Sequence, residues 1–168
     1  MTPADTGAAA PACCFTGHRV IPQRHLRRLI RYLDEAVEAC LALGVTTFRS
    51  GGALGFDTLA AQAVLRARRA HPEARLELVL PCRDQSARWQ SGQADALEAL
   101  KAQADAVDYC FDRYAPGCMQ ARNRRLVEGS CRVIAYCTQA RGGTVQTLSY
   151  ALELGLPVLN LACLPLEN

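Results

Sequence analysis

Two glycine-rich segments are the strongest chemical signal in this chain of 168 residues. The first reads SGGALGFD at residues 50–57, and the second reads GGT at residues 142–144. Each is predicted to join a strand to a helix, where free backbone N–H groups and the positive end of the helix dipole favour a phosphate group. Neither segment has the dinucleotide fingerprint GxGxxG or the lysine of a P-loop. The candidate ligand-binding residues here are Ser50, Gly51, Gly52, Gly55, Asp57, Gly142, Gly143 and Thr144.

Polar residues that carry hydrogen-bond donors lie at two further predicted junctions. The first predicted strand ends in Thr16, Gly17, His18 and Arg19. Arg122 and Asn123 lie near the start of a predicted helix, where a planar guanidinium can form a two-pronged contact with an anion. We therefore add these residues to the candidate ligand-binding set.

Asp57 is the only carboxylate in these segments and is therefore the candidate catalytic residue. Contact with a ribose hydroxyl and stabilisation of the helix dipole are its alternative roles. A nucleophilic pair of Cys82 with His18 is a weaker alternative, which rests on both residues lying at predicted strand ends. The sequence has no CxxC or HExxH spacing, so we predict no metal site and no cofactor.

Apolar periodicity alternates between short strand-like runs and longer helical patterns. Strands are predicted at residues 13–15, 45–49, 75–80, 106–111, 132–137 and 158–161, and helices at residues 23–43, 56–70, 85–104, 118–128 and 144–154, with Gly92 as a break in the third helix. The alternation predicts one α/β domain over residues 13–168, a Rossmann-like, doubly wound, mainly parallel sheet of about six strands with helices on both faces. Residues 1–12 are predicted to form a flexible tail. Ligands bind beyond the carboxyl ends of such strands, so the candidate residues should meet at one edge.

Composition and charge argue against several classes of protein. Hydrophobic residues make up 50% and charged residues 21% of the chain, which is typical of a folded domain rather than a disordered one. No apolar run approaches the ~20 residues of a membrane-spanning helix. A net charge of +3 and an aromatic content of 6% argue against nucleic-acid binding. The nine cysteines, mostly within apolar runs, are interpreted as buried free thiols, which predicts a cytoplasmic location.

The order of these segments resembles the SLOG superfamily, and more closely its YpsA-like bacterial branch. The matching segments are FTGHR at 15–19, SGGALGFDTLAA at 50–61, LVLPC at 78–82, ARNRRLVEGS at 121–130 and GGTVQTLSYALELGLPV at 142–158. The resemblance implies a Rossmann-like domain that binds a nucleotide or a nucleotide-derived ligand such as ADP-ribose. It assigns the pocket to Gly17, Arg19, Gly51, Gly52, Gly55, Asp57, Arg122, Asn123, Gly142, Gly143 and Thr144.

One departure from the family pattern bears on catalysis. LOG-type hydrolases of this superfamily carry GGxGT followed closely by a glutamate, whereas here residues 142–144 are followed by Gln146 and Thr147. An amide cannot act as a general base or stabilise an oxocarbenium ion by charge. We therefore predict binding or sensing of a nucleoside phosphate, NAD or ADP-ribose. An N-glycosidase of the phosphoribohydrolase type that uses Asp57 is the alternative, and a nucleic-acid-binding module is the second; a homo-oligomer is compatible with the sequence.

Overall fold

Alternating strands and helices form one parallel sheet in the computed structural model, which describes residues 10–167. The strands are β1 (Ala12–Gly17), β2 (Thr47–Ser50), β3 (Arg75–Cys82), β4 (Ala106–Phe111), β5 (Arg132–Tyr136) and β6 (Val158–Asn160). The helices are α1 (Gln23–Ala42), α2 (Phe56–Ala67), α3 (Ser91–Gln103), α4 (Cys118–Glu128) and α5 (Gly143–Glu153), followed by a short 3₁₀ turn at Leu161–Cys163. The predicted α/β, doubly wound architecture is confirmed.

The strand order β4-β3-β2-β1-β5-β6 reverses direction at β1. The chain builds outward from β1 to β4, and α4 then returns it to the other side of β1, where β5 pairs with β1 in the register Phe15 to Ile134. A crevice opens at the carboxyl ends of the two strands that flank such a reversal, because the helices that follow them lie on opposite faces. The topology therefore sets the β1–β5 boundary as the place where a ligand can enter.

Alternate residues of the central strands supply two separate cores, one on each face of the sheet. Cys13 and Phe15 of β1 pack with the residues of α1 and α2, and Phe15 stacks on Phe48 at 6.1 Å between ring centroids. Cys14, which points to the opposite face, packs with Leu126 of α4 and Ala151 of α5. A strand that is covered on both faces must be apolar on both, which is why β1 reads as a continuous apolar run.

The third helix departs most from its predicted bounds. It begins at Ser91 rather than at residue 85, and residues 83–88 form turns. Gln90 and Gln93 form a reciprocal capping box at this start, in which the Gln90 N–H donates to Gln93 Oε1 at 3.2 Å. Gly92 therefore lies in the first turn of α3 and does not break the helix, contrary to the prediction.

Strand β3 also extends past its predicted end, through Pro81 to Cys82. Its pairing with β2 ends at Leu78, so the proline lies beyond that ladder. A proline has no N–H to donate, and it is tolerated where one neighbouring strand has already ended.

The cysteines are all free, and the prediction of buried thiols holds for part of them. Cys13, Cys14, Cys40, Cys82 and Cys118 are buried, whereas Cys131 and Cys163 are exposed. Among residues 10–167 no helix combines the length and apolar character needed to cross a membrane. Residues 1–9 of the predicted flexible tail lie outside the described residues, and Ala12 already belongs to β1.

Candidate functional site

A cavity of about 350 Å³ lies at the carboxyl end of β1, between α4 and the first turn of α5. This is the position of the chain reversal between β1 and β5. Many of the predicted ligand-binding residues line it together: Thr16, Gly17, His18, Arg19, Asp57, Arg122, Asn123, Gly143 and Thr144. The segments that carry them are far apart in sequence and meet because parallel strands end at the same edge of the sheet.

The apolar part of the cavity wall was not predicted from the sequence. Phe15, Ala53, Met119 and Leu126 complete the lining. Apolar side chains carry no chemical signal in a single sequence, since the same residue types fill the core. Met119 and Leu126 lie three and four residues from Arg122, and residues at this spacing share a helix face. This spacing is the one feature of the sequence that could have indicated them.

Ser50, Gly51, Gly52, Gly55 and Gly142 do not line this cavity, although they were predicted to bind the ligand. Ser50 is buried, and its hydroxyl donates to the Asp57 carbonyl at 3.0 Å and accepts from the Gly52 N–H at 3.3 Å. The side chain therefore fastens the turn that delivers Asp57 instead of facing the cavity.

Gly55 is required by two independent constraints. Its φ of 76° and ψ of −118° lie where residues with a side chain rarely occur. A Cβ atom added to it would also overlap the backbone carbonyl of Arg19. This close approach lets the Phe56 N–H donate to the His18 carbonyl at 3.1 Å, which fixes the residues that follow β1, His18 and Arg19 (the β1 turn), against the start of α2.

Arg122 and Asp57 are a buried pair of opposite charges that both lie against the α carbon of Gly51, with 6% and 5% of their surfaces exposed. Arg122 donates from Nη1 to the Gly51 carbonyl at 2.6 Å and from Nε to Asn123 Oδ1 at 2.8 Å. Asp57 Oδ2 accepts from the Ala53 N–H at 3.2 Å. Burial raises the pKa of Asp57 and lowers the pKa of Arg122, and the opposite charge of each opposes the shift in the other.

Positive charge exceeds negative charge around the cavity. Arg19 is exposed and forms no salt bridge within residues 10–167, and its charge acts on both Asp57 and Arg122. Within the same part of the chain, no hydrogen bond engages Nη2 of Arg122. Two guanidinium groups therefore face one carboxylate, an arrangement that a bound anion would neutralise.

The first turn of α5 adds further donors to this positive environment. Its N-cap is Gly142, which has no side chain to satisfy the first N–H groups, and the turn contains no acidic residue. Gly143 and Thr144 line the cavity, and Thr147 anchors the turn by donating to the Gly143 carbonyl at 2.8 Å. Unsatisfied N–H groups at a helix start attract anions.

His18 holds the β1 turn against the segment that follows β5. The Thr138 N–H donates to its Nε2 at 2.8 Å, so this nitrogen carries no proton and Nδ1 carries it. The ring also lies edge-on to Tyr136 at 5.8 Å between centroids. Burial lowers the pKa of His18 below its usual 6.5.

The His18 contact predicts a loss of stability in mild acid. Above pH 6.5 the imidazole is neutral in the folded and unfolded chains, so its contribution is fully present. As the pH falls through 6.5, the unfolded chain takes up a proton that the folded chain resists, because burial disfavours the charged ring and protonation would break the Thr138 bond. We expect the melting temperature of the wild type to fall between pH 7 and 5 more steeply than that of His18→Ala, which lacks this imidazole. Parallel curves for the two proteins would contradict this role.

The structure provides little for metal binding or thiol catalysis. Within residues 10–167 no cluster of three or more histidine, cysteine, aspartate and glutamate side chains could hold a metal ion. Burial raises the pKa of the Cys82 thiol to about 12, and its interacting neighbours are Asp84 and Cys118. The alternative pairing of Cys82 with His18 is therefore not supported, because His18 is committed to Thr138.

Comparison with known families and relatives gives consistent matches over most of the chain. The model of the YspA SLOG family, YpsA, matches residues 21–152. A UPF0398 protein of Halalkalibacterium halodurans is 28% identical over 146 residues, which are 83% of this chain and 76% of that protein. A UPF0398 protein of Brevibacillus brevis is 23% identical over 135 residues, which are 79% of this chain and 68% of the relative.

Solved structures with a similar fold include two DNA processing proteins. DNA processing protein A of Streptococcus pneumoniae matches with a TM-score of 0.61 at 20% identity, over 89% of this chain and 49% of that chain. The protein from Helicobacter pylori, described for its single-stranded DNA binding, matches with a TM-score of 0.64 at 18% identity, over 89% and 64%. The structural genomics target TM1055 matches with a TM-score of 0.57 at 18% identity, over 88% and 72%. This chain thus spans about half of the first of these proteins, and at these identities the likeness concerns the fold alone.

Proposed function

The chain belongs to the YspA SLOG family. From that premise we propose that the cavity at the carboxyl end of β1, the β1–β5 cavity, binds the phosphate group of a nucleotide or nucleotide-derived small molecule. The observation that carries the proposal is the meeting of Arg19, Arg122 and the uncapped start of α5 at one cavity. Each of these features occurs singly in many proteins. Together they supply two cations and free N–H donors against the single charge of Asp57.

The dimensions of the cavity support a small ligand. Its volume of about 350 Å³ is at the lower end of the range of about 300–1,000 Å³ for small-molecule sites. The apolar side chains of Phe15, Met119 and Leu126 form part of the wall, and Arg122 beside them is buried. A water-poor surrounding strengthens hydrogen bonds between charged groups, so a phosphate would be held more firmly here than on an exposed surface.

Arg19→Gln should weaken nucleotide binding without unfolding the protein. Arg19 is exposed and makes no salt bridge within residues 10–167, so its loss removes a ligand contact and little else. We expect the Kd for AMP, ADP-ribose or NAD, whichever binds the wild type, to rise about 10- to 100-fold, as for one charge-assisted contact. Isothermal titration calorimetry measures this change directly.

Arg69→Gln is the matched control for this experiment. Arg69 is exposed at the far end of α2, so the substitution changes net charge equally but away from the cavity. Its Kd should equal that of the wild type. Absence of binding by all three ligands, or an equal loss in both variants, would refute the proposed function.

The same preparation separates the two alternative functions. Asp57 lines the cavity and has a raised pKa, which is the property of a carboxyl that donates a proton, so release of free adenine from AMP would favour the N-glycosidase alternative. Likeness to DNA processing protein A makes a single-stranded oligonucleotide the second comparison ligand. Tighter and strongly salt-dependent binding of the oligonucleotide than of the mononucleotides would favour a nucleic-acid partner.

A further inference from the structure

A second cavity, of about 400 Å³, lies between α4 and α5 and shares a wall with the candidate site. Asn123 lines both cavities. The first turn of α5 passes from one to the other, since Gly143 and Thr144 line the site while Val145 and Gln146 line the second cavity. We call this second cavity the α4–α5 groove. A ligand held at the start of α5 could therefore extend past Asn123 into the groove.

The groove differs from the site in its charge. Arg124 and Glu153 are its only charged lining residues in the described chain, and they carry opposite charges. The remaining polar groups are uncharged and include the amides of Gln120 and Gln146. A second phosphate would find no excess of positive charge here. An uncharged group that has both donors and acceptors fits this lining better.

A flat surface is also present in the groove. The guanidinium carbon of Arg124 lies 5.0 Å from the centroid of the Tyr150 ring. The Tyr150 hydroxyl donates to Glu128 at 2.6 Å, which fixes the ring that supports the guanidinium. Planar guanidinium groups and aromatic rings are the surfaces on which nucleobases stack.

Asn123 stands at the junction with one side of its amide unused. Its Oδ1 accepts from Arg122 Nε at 2.8 Å, which directs Nδ2 away from Arg122. Nδ2 lies 4.0 Å from the position that a Cβ atom on Gly143 would occupy. It makes no hydrogen bond to the described part of the chain. An N–H donor is thus available between the two cavities.

We infer that the α4–α5 groove is the nucleobase subsite of the ligand whose phosphate occupies the β1–β5 cavity. The inference rests on the proposed function, because the phosphate defines which end of the ligand enters the groove. The juxtaposition that carries it is a positively charged cavity and a charge-balanced, amide-lined groove on the two sides of Asn123. Gln120 and Gln146 supply the hydrogen bonds to the edge of the base, and Arg124 supplies the stacking surface.

Comparison of AMP, ribose 5-phosphate and inorganic phosphate tests the inference. The wild type should bind AMP more tightly than ribose 5-phosphate, because only AMP has a base. Gln146→Leu should weaken AMP binding about tenfold, as for the loss of one or two neutral hydrogen bonds, and leave ribose 5-phosphate binding unchanged. Gln120→Leu, on the other helix, should act in the same direction. Both glutamines are exposed, and leucine is a good helix former, so neither change should impair folding.

Gln103→Leu on α3 is the matched control and should change neither affinity, since it lies on the other face of the sheet. Equal affinity of the wild type for AMP and ribose 5-phosphate, or equal weakening of both ligands by Gln146→Leu, would overturn the base subsite and leave the phosphate site intact. Failure of the wild type to bind any of these probes, and also ADP-ribose and NAD, would overturn both proposals together.

Discussion

Arg122→Ala is expected to abolish measurable nucleotide binding and to lower the free energy of unfolding by about 3 kcal/mol. The side chain is buried and links two elements, because it donates to the Gly51 carbonyl at 2.6 Å and to Asn123 Oδ1 at 2.8 Å. It also offsets the charge of Asp57, which is buried against the same side of Gly51. Alanine would leave a buried carboxylate with only the exposed Arg19 as a compensating charge. Calorimetry and urea denaturation measure the two losses separately.

Two further variants identify the cause of these losses. Arg122→Lys keeps the positive charge but not the planar fork, so it should retain part of the stability and little of the binding. Adding Asp57→Asn to Arg122→Ala removes the buried carboxylate that has lost its nearer cation and should restore part of the stability without restoring binding. Unchanged stability of Arg122→Ala, or no recovery in the double variant, would show that the buried charges do not interact as described.

Gly55→Ala should destabilise the fold by more than about 3 kcal/mol and lower the melting temperature by about 10 °C. The new Cβ would overlap the backbone carbonyls of His18 and Arg19, which no side-chain rotation can relieve. Relief requires the β1 turn to move away from α2, which breaks the hydrogen bond from the Phe56 N–H to the His18 carbonyl. Arg19 would be displaced with it, so nucleotide binding should be lost as well. Thermal unfolding followed by circular dichroism gives the first quantity.

Gly155→Ala is the control for a positive φ without a close contact. Gly155 has a φ of 74°, close to the 76° of Gly55, but nothing lies within 4 Å of the added Cβ. Its replacement should therefore cost only the conformational strain of about 1–2 kcal/mol. If Gly55→Ala is as stable as Gly155→Ala, the close contact between residue 55 and the β1 turn does not contribute to the loss.

Much of the candidate site could be predicted because of a general property of parallel sheets. Residues 16–19, 122–123 and 143–144 lie at strand ends or helix starts that the apolar periodicity already indicates. The carboxyl ends of parallel strands meet at one edge, so their polar residues must converge. The start of α3 could not be predicted in the same way, because the turns at residues 83–88 are stabilised by hydrogen bonds that polar composition alone does not specify.

The glycine-rich segment at residues 50–57 shows where such prediction ends. Its glycines suggest backbone that approaches a ligand, yet Gly51 lies against Arg122 and Asp57, and Gly55 lies against Arg19. Either use requires a residue without a Cβ, so the sequence pattern is the same for both. The identity of the atom that approaches the glycine depends on residues that are distant in the chain.

The sequence by itself determined the α/β class, the number and order of the elements, and the edge of the sheet at which the arginine side chains meet. These properties follow from local periodicity and from the shared direction of parallel strands. Only the tertiary structure decided which polar groups face the cavity and which hold the turns, because those roles depend on long-range contacts. Arg122 meets the Gly51 carbonyl across 71 positions of sequence, and Thr138 meets His18 across 120. The residues adjacent to Arg122 or Thr138 in the sequence do not indicate which distant residue it contacts.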